Sequence, residues 1–196
     1  RIDLTVFFCS KEAFSGEDVP KKFKTQGRWG DEDDLLVGYK CKFLRNYSPY
    51  PSYLRSLTGL LNLGIWGELR REKPDLVVLM SWMNPTWWEA VLACRLHNIP
   101  FVYMTDQNVN ADLVGPKWKL WIKRLLLAKA LFPLTSGFLC AGSTNRRLYL
   151  HYGVPEEKLL SFAFSWGFDG LMERTSELNA KRTALRAELG VPESNR

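Results

Sequence analysis

The residues best placed to do chemistry fall at three points of the chain. Asp106 is the first. It follows the apolar run Phe101-Val102-Tyr103-Met104. A carboxylate there can accept a hydrogen bond from a substrate hydroxyl, or orient it, with Gln107 beside it. The competing reading is a turn aspartate that caps the loop after it. Ser81, Trp82 and Asn84 are the second group, placed after the apolar run Leu76 to Met80. The Trp82 ring has a face on which a sugar can stack. Asn84 stands directly before Pro85, so it also reads as a helix N-cap. The third point is Ala141-Gly142-Ser143-Thr144-Asn145-Arg146-Arg147. Gly142 lets a ligand approach the backbone, and free helix N–H groups with Arg146 favour an anion. Its alternative is an N-cap by Ser143 or Thr144, with the arginines in solvent.

Those points are useful only if the elements around them hold them together. The stretch 75–108 reads as strand, turn, helix, turn, strand. Continuous apolar runs suit parallel strands covered on both faces. Ala90, Val91, Ala93, Cys94 and Leu96 recur at helical spacing, and Asn98 stops the helix. Such a unit crosses over right-handedly. It leaves 81–84 and 105–108 at the carboxyl ends of neighbouring strands, where open α/β sheets bind ligands. Strands are also expected at 2–9, 39–44, 138–141 and 159–164. Helices are expected at 56–71, 116–131, 144–152 and 177–189, and 10–34 reads as a long loop. This alternation predicts an α/β fold with a doubly wound, mostly parallel sheet.

The helix over 116–131 carries a different signal. Trp118, Lys119, Trp121, Lys123 and Arg124 make it basic, aromatic and amphipathic. Such a helix suits an anionic membrane surface. It equally suits a leucine face packed on the sheet with its cations in water. The whole chain has 196 residues, a net charge of +6 and 8 Trp. That balance is compatible with an anionic partner.

Several chemistries lack their motifs. There is no P-loop, no dinucleotide fingerprint and no nucleophile elbow. His97 and His151 each fall in the last turn of a predicted helix, where the dipole favours them. Cys9, Cys41, Cys94 and Cys140 form no C-x-x-C pair and read as reduced thiols. No apolar run is long enough to span a bilayer.

Four stretches resemble the N-terminal half of a retaining glycosyltransferase of family 4. Pro74-Asp75-Leu76-Val77-Val78 is similar to the lead-in to that family's central strand. Asn98-Ile99-Pro100-Phe101-Val102-Tyr103 is similar to the lead-in to the next. Phe138 to Asn145, followed by Tyr152 to Leu159, looks like the family's "FLAxGxxN…YxxxGVPEEKI" pattern. Trp166-Gly167-Phe168-Asp169 resembles the "GVD" that closes the first domain. The resemblance covers about residues 1–170. It implies one Rossmann-like half of a GT-B fold, with this half binding the acceptor. A C-terminal half would bind the nucleotide sugar through paired glutamates. Transfer would retain anomeric configuration, with no metal and no other cofactor.

The expected domains are 1–168, lacking the family's first strand, and 169–196, a linker into the C-terminal domain. The expected substrate-binding residues are Ser81, Trp82, Asn84, Asp106, Gln107, Gly142, Ser143, Asn145 and Arg146. Many family members have histidines at the two central strand ends; here Met80-Ser81 and Asp106 stand there. The catalytic residues therefore stay unassigned, with Asp106 the one candidate. Expected partners are the nucleotide sugar, a glycan or lipid acceptor, the C-terminal domain and an anionic membrane surface, with no nucleic acid. The expected location is cytoplasmic, peripheral on the inner face of the membrane, and the chain alone is expected to be inactive. The competing reading is a non-catalytic subunit that docks a catalytic partner at the membrane.

Overall fold

Every strand pairing among the described residues is parallel, and this decides where their loops converge. The computed structural model describes residues 2–11, 36, 38–52, 57–112, 114–163, 175, 179 and 181–190. The chain divides into two compact units, Arg1–Phe162 and Ala163–Arg196. In the first, β1 (Thr5–Phe8) pairs with β2 (Lys40–Phe43). A four-stranded sheet has the order β3 (Val77–Leu79), β4 (Phe101–Thr105), β5 (Gly137–Cys140), β6 (Leu159–Ser161). The expected single sheet is thus a pair plus a quartet among the described residues.

The quartet advances one strand at a time, so right-handed crossovers place their helices on one face. Burial agrees. Leu79, Tyr103, Phe138 and Leu159 lie side by side in register and are all buried. Over them pack α2 (Pro85–Leu96), the helical turns of Leu125–Leu131 and α5 (Ser143–His151). Tyr103, Phe132, Phe138, Tyr149 and Tyr152 form an aromatic cluster within that core. The Phe132–Phe138 and Phe138–Tyr149 centroids are both 4.9 Å apart. Edge-on and tilted rings at such spacing add to the area they bury. The opposite face is closed only over its middle. Val102 and Met104 are buried there, but Val78, Met80 and Leu160 are exposed. Coverage on both faces therefore holds for β4 and fails for β3.

The helix expected over 56–71 is shorter. Only α1 (Ile65–Glu72) forms. Residues 57–64 turn instead, because their backbone bonds the 46–52 segment: Tyr47 N–H donates to Leu61 O and Ser52 N–H to Gly59 O. Leu57 takes φ 68°, which no helix permits. The stops at the other ends read true. Lys73 takes φ 46° at the end of α1, and Asn98 takes φ 55° after α2. Between β4 and the basic segment lies one helical turn, α3 (Val109–Asp112). The basic segment forms α4 (Lys117–Arg124), and Leu125–Leu131 continues it in the wider π form. The second unit contains α6 (Arg182–Glu188). Most of the 10–34 loop and the whole Trp166-Gly167-Phe168-Asp169 stretch fall outside the described residues.

Candidate functional site

The strands' common direction brings 81–84, 105–107 and 141–145 to one edge of the quartet. β4 is the anchor of this edge, since all five of its residues are buried. Asp106 follows it at once and is exposed. Its backbone is therefore anchored while its side chain is open to solvent. Gln107 is fixed by its backbone. Its N–H donates to Thr105 Oγ1 at 3.2 Å, and its carbonyl accepts from Asn145 Nδ2 at 2.7 Å.

Asn145 is spent on that role. It is buried, and its Oδ1 also accepts from Ala141 N–H at 3.1 Å. Both ends of the amide thus tie the end of β4 to the turn after β5. The turn itself differs from its sequence reading. Gly142, and neither Ser143 nor Thr144, is the N-cap of α5. It is extended (φ 171°, ψ 178°), and a Cβ there would meet nothing within 4 Å. The space above it is open, and Ser143 next to it is exposed. Arg146 pairs with Glu156, so its guanidinium already has an anion.

At the end of β3, Ser81 Oγ accepts from Met83 N–H at 3.3 Å. Asn84 holds the N-cap position of α2, yet its side chain makes no cap bond, and its Oδ1 is buried without a partner. Trp82 gives its carbonyl to Trp88 Nε1 at 2.9 Å, while its own Nε1 is buried and unpartnered. Lys123 Nζ lies 5.6 Å over the Trp82 ring. This brings α4 up to the same strand end. The other members of the basic helix, Trp118, Lys119, Trp121 and Arg124, are exposed.

Two groups were not legible as site residues. Glu89 sits one turn into α2 with Oε2 buried and unpartnered, and burial raises its pKa. It neighbours Cys9, whose thiol is pushed up to about 11 by burial and by the Glu89 charge. An acid among Trp87, Trp88, Ala90 and Val91 was the available signal. The second is Asn62, fully buried, which joins β1, β2 and α2. Its Nδ2 donates to Cys9 O at 3.0 Å and to Arg45 O at 3.1 Å, and its Oδ1 accepts from Thr86 Oγ1 at 2.8 Å. A cavity of about 200 Å³ lies elsewhere, between Arg95, Asn98, Phe101 and Ser136 at the amino end of the strands. Among the described residues, no three His, Cys, Asp or Glu side chains are arranged to hold a metal.

Together these features define an α/β domain that offers an open edge at the carboxyl ends of parallel strands. The family model described as Glycosyltransferase Family 4 matches residues 23–160, more than half of the chain. The protein belongs to glycosyltransferase family 4. No curated protein matches it.

Proposed function

We propose that this chain is the acceptor-binding half of a retaining GT-B glycosyltransferase, with a second domain to hold a nucleotide sugar. The observation that carries the reading is Asp106, exposed at the end of the buried strand β4. A carboxylate so placed receives hydroxyl hydrogen bonds from an acceptor or from the donor sugar. In the reaction, the bond from the anomeric carbon to the donor phosphate breaks. The acceptor oxygen bonds that carbon, its hydroxyl proton leaves to a base, and the nucleotide departs. Asp106 positions a hydroxyl for this step, with Gln107 and Ser81 beside it and Trp82 stacking on a sugar ring. Gly142, Ser143 and the start of α5 border the same edge. No metal and no cofactor is needed in this reading.

The test uses the full reading frame that encodes this chain. Asp106→Asn is expected to lower kcat/KM for the acceptor by about 10- to 100-fold, the loss of one well-placed charged contact. Unchanged kinetics would remove Asp106 from the site. Residues 1–196 alone are expected to transfer no sugar, and any turnover by them overturns the half-enzyme reading.

A second reading is a non-catalytic subunit that docks a catalytic partner at the membrane. The exposed tryptophans of α4 favour it. Paired glutamates in a downstream domain of the same frame would decide for the transferase. Both readings place the protein on the cytoplasmic face of a membrane. Among the described residues no helix is long and apolar enough to cross one.

A further inference from the structure

The helix from Lys117 to Leu131 carries two apolar faces, and only one of them is used by the fold. Leu127 and Leu131 enter the core. Trp118, Trp121, Ile122 and Leu125 stand at i, i+3, i+4 and i+7, the spacing of one continuous stripe. They are 62%, 65%, 41% and 47% exposed. At 3.6 residues per turn, Lys119 and Lys123 flank the stripe on one side, and Lys117 and Arg124 on the other. The eight residues of α4 hold four cations and no anion, and none of them is buried. Lys119 Nζ sits 5.4 Å over the Trp118 ring.

A core helix hides its stripe, and a solvated helix does not keep two tryptophans on it. A row of aromatic and aliphatic side chains between two rows of cations matches one environment. That is the boundary where acyl chains meet anionic headgroups. We infer that α4 docks this domain on an anionic bilayer, with Trp118, Trp121, Ile122 and Leu125 entering the lipid and Lys117, Lys119, Lys123 and Arg124 meeting the headgroups. Charge complementarity selects lipid over an apolar protein groove, because the cations border the stripe on both sides. Lys123 also lies over Trp82, at the end of β3. The docked surface therefore adjoins the edge assigned to the acceptor. This names the partner behind the peripheral location proposed above. Its test reads lipid binding alone, so it stands or falls apart from sugar transfer.

The experiment is vesicle flotation of the 196-residue chain. Vesicles of phosphatidylcholine with phosphatidylglycerol are compared with phosphatidylcholine alone. The expected result is flotation with the anionic vesicles only. Two variants share circular dichroism with the parent as a folding control: Trp118→Ala/Trp121→Ala, and Lys119→Glu/Lys123→Glu/Arg124→Glu. Each is expected to lose more than about tenfold in partition. Because neither variant touches a buried residue of α4, both are expected to fold. Flotation retained by the tryptophan variant but abolished by salt would mean surface attraction without insertion, and would overturn the proposal. So would failure of the parent chain to float. A parent dimer that the tryptophan change splits, without lipid binding, would assign the stripe to a second copy instead.

Discussion

Two buried asparagines fasten the two ends of this sheet edge, and they leave their surroundings in different states. Asn145 closes the β4–β5 end. Its amide donates to Gln107 O and accepts from Ala141 N–H. Asn62 closes the end where β1, β2 and α2 meet, with donations to strand-end carbonyls and a reciprocal pair with Thr86. Near Asn145 one buried polar atom, Tyr149 Oη, lacks a hydrogen-bond partner. On or beside α2 three do: Asn84 Oδ1, Glu89 Oε2 and Trp82 Nε1. Buried polar atoms normally find a partner, and one left alone costs free energy. The first end is thus the more completely bonded of the two, and it holds Asp106. The second retains more unmet hydrogen-bonding capacity.

The largest break in that comparison is Asn62→Ala. It strips the donor from the carbonyls of Cys9 and Arg45 and the acceptor from Thr86. Each buried group so orphaned costs about 1–3 kcal/mol, so a loss of about 3 kcal/mol or more is expected in urea unfolding. Asn62→Asp should be no better. It restores the Thr86 partner but points negative charge at carbonyl oxygens. Rescue by Asp would show that the Thr86 bond alone matters. Asn145→Ala comes next, with about 2 kcal/mol expected because fewer groups depend on it. Asn145→Asp should likewise fail to rescue, since its second oxygen would face Gln107 O. The same denaturant series reads both pairs of variants. Equal losses at positions 62 and 145 would erase the difference drawn between the two ends.

The sequence carried the frame of this edge better than its details. The apolar runs at 76–80 and 101–104 and the Asn84-Pro85 junction located β3, β4 and α2 because periodicity and capping are local properties. The exposed position of Asp106 was legible for the same reason: it directly follows a buried strand. Asn145 was named as a ligand contact, yet its amide serves the backbone of a loop 38 residues away. Asn62 was passed over inside a helix expected at 56–71. Its partners lie at residues 9, 45 and 86, and no local pattern reports such distances. The double face of the 117–131 helix was half visible. The sequence left it between a membrane surface and a packed leucine face, and only burial shows that Leu127 and Leu131 pack while Trp118 and Trp121 stay exposed.

Glu89→Gln is the smallest expected change and tests the unpaired end most directly. Burial holds the Glu89 pKa above its ordinary value of 4.5. In the unfolded chain the carboxyl loses its proton at that ordinary value, while in the folded protein it holds on to a higher pH. Above the folded value the native state carries a poorly hydrated charge, so ionisation there opposes folding. Glutamine removes that charge with the same shape. The variant should therefore be slightly more stable at neutral pH, by under about 1 kcal/mol, since the side chain keeps partial contact with screening water. Its advantage should shrink as the pH falls through the folded pKa and vanish below 4.5, where both states are protonated. The Cys9 thiol, raised partly by the Glu89 charge, should react faster with iodoacetamide in the variant. Thermal melts at pH 4 and pH 7 check the first point. A stability difference that is the same at both would mean that Glu89 meets a partner at neutral pH, and that this end of the edge is as complete as the other.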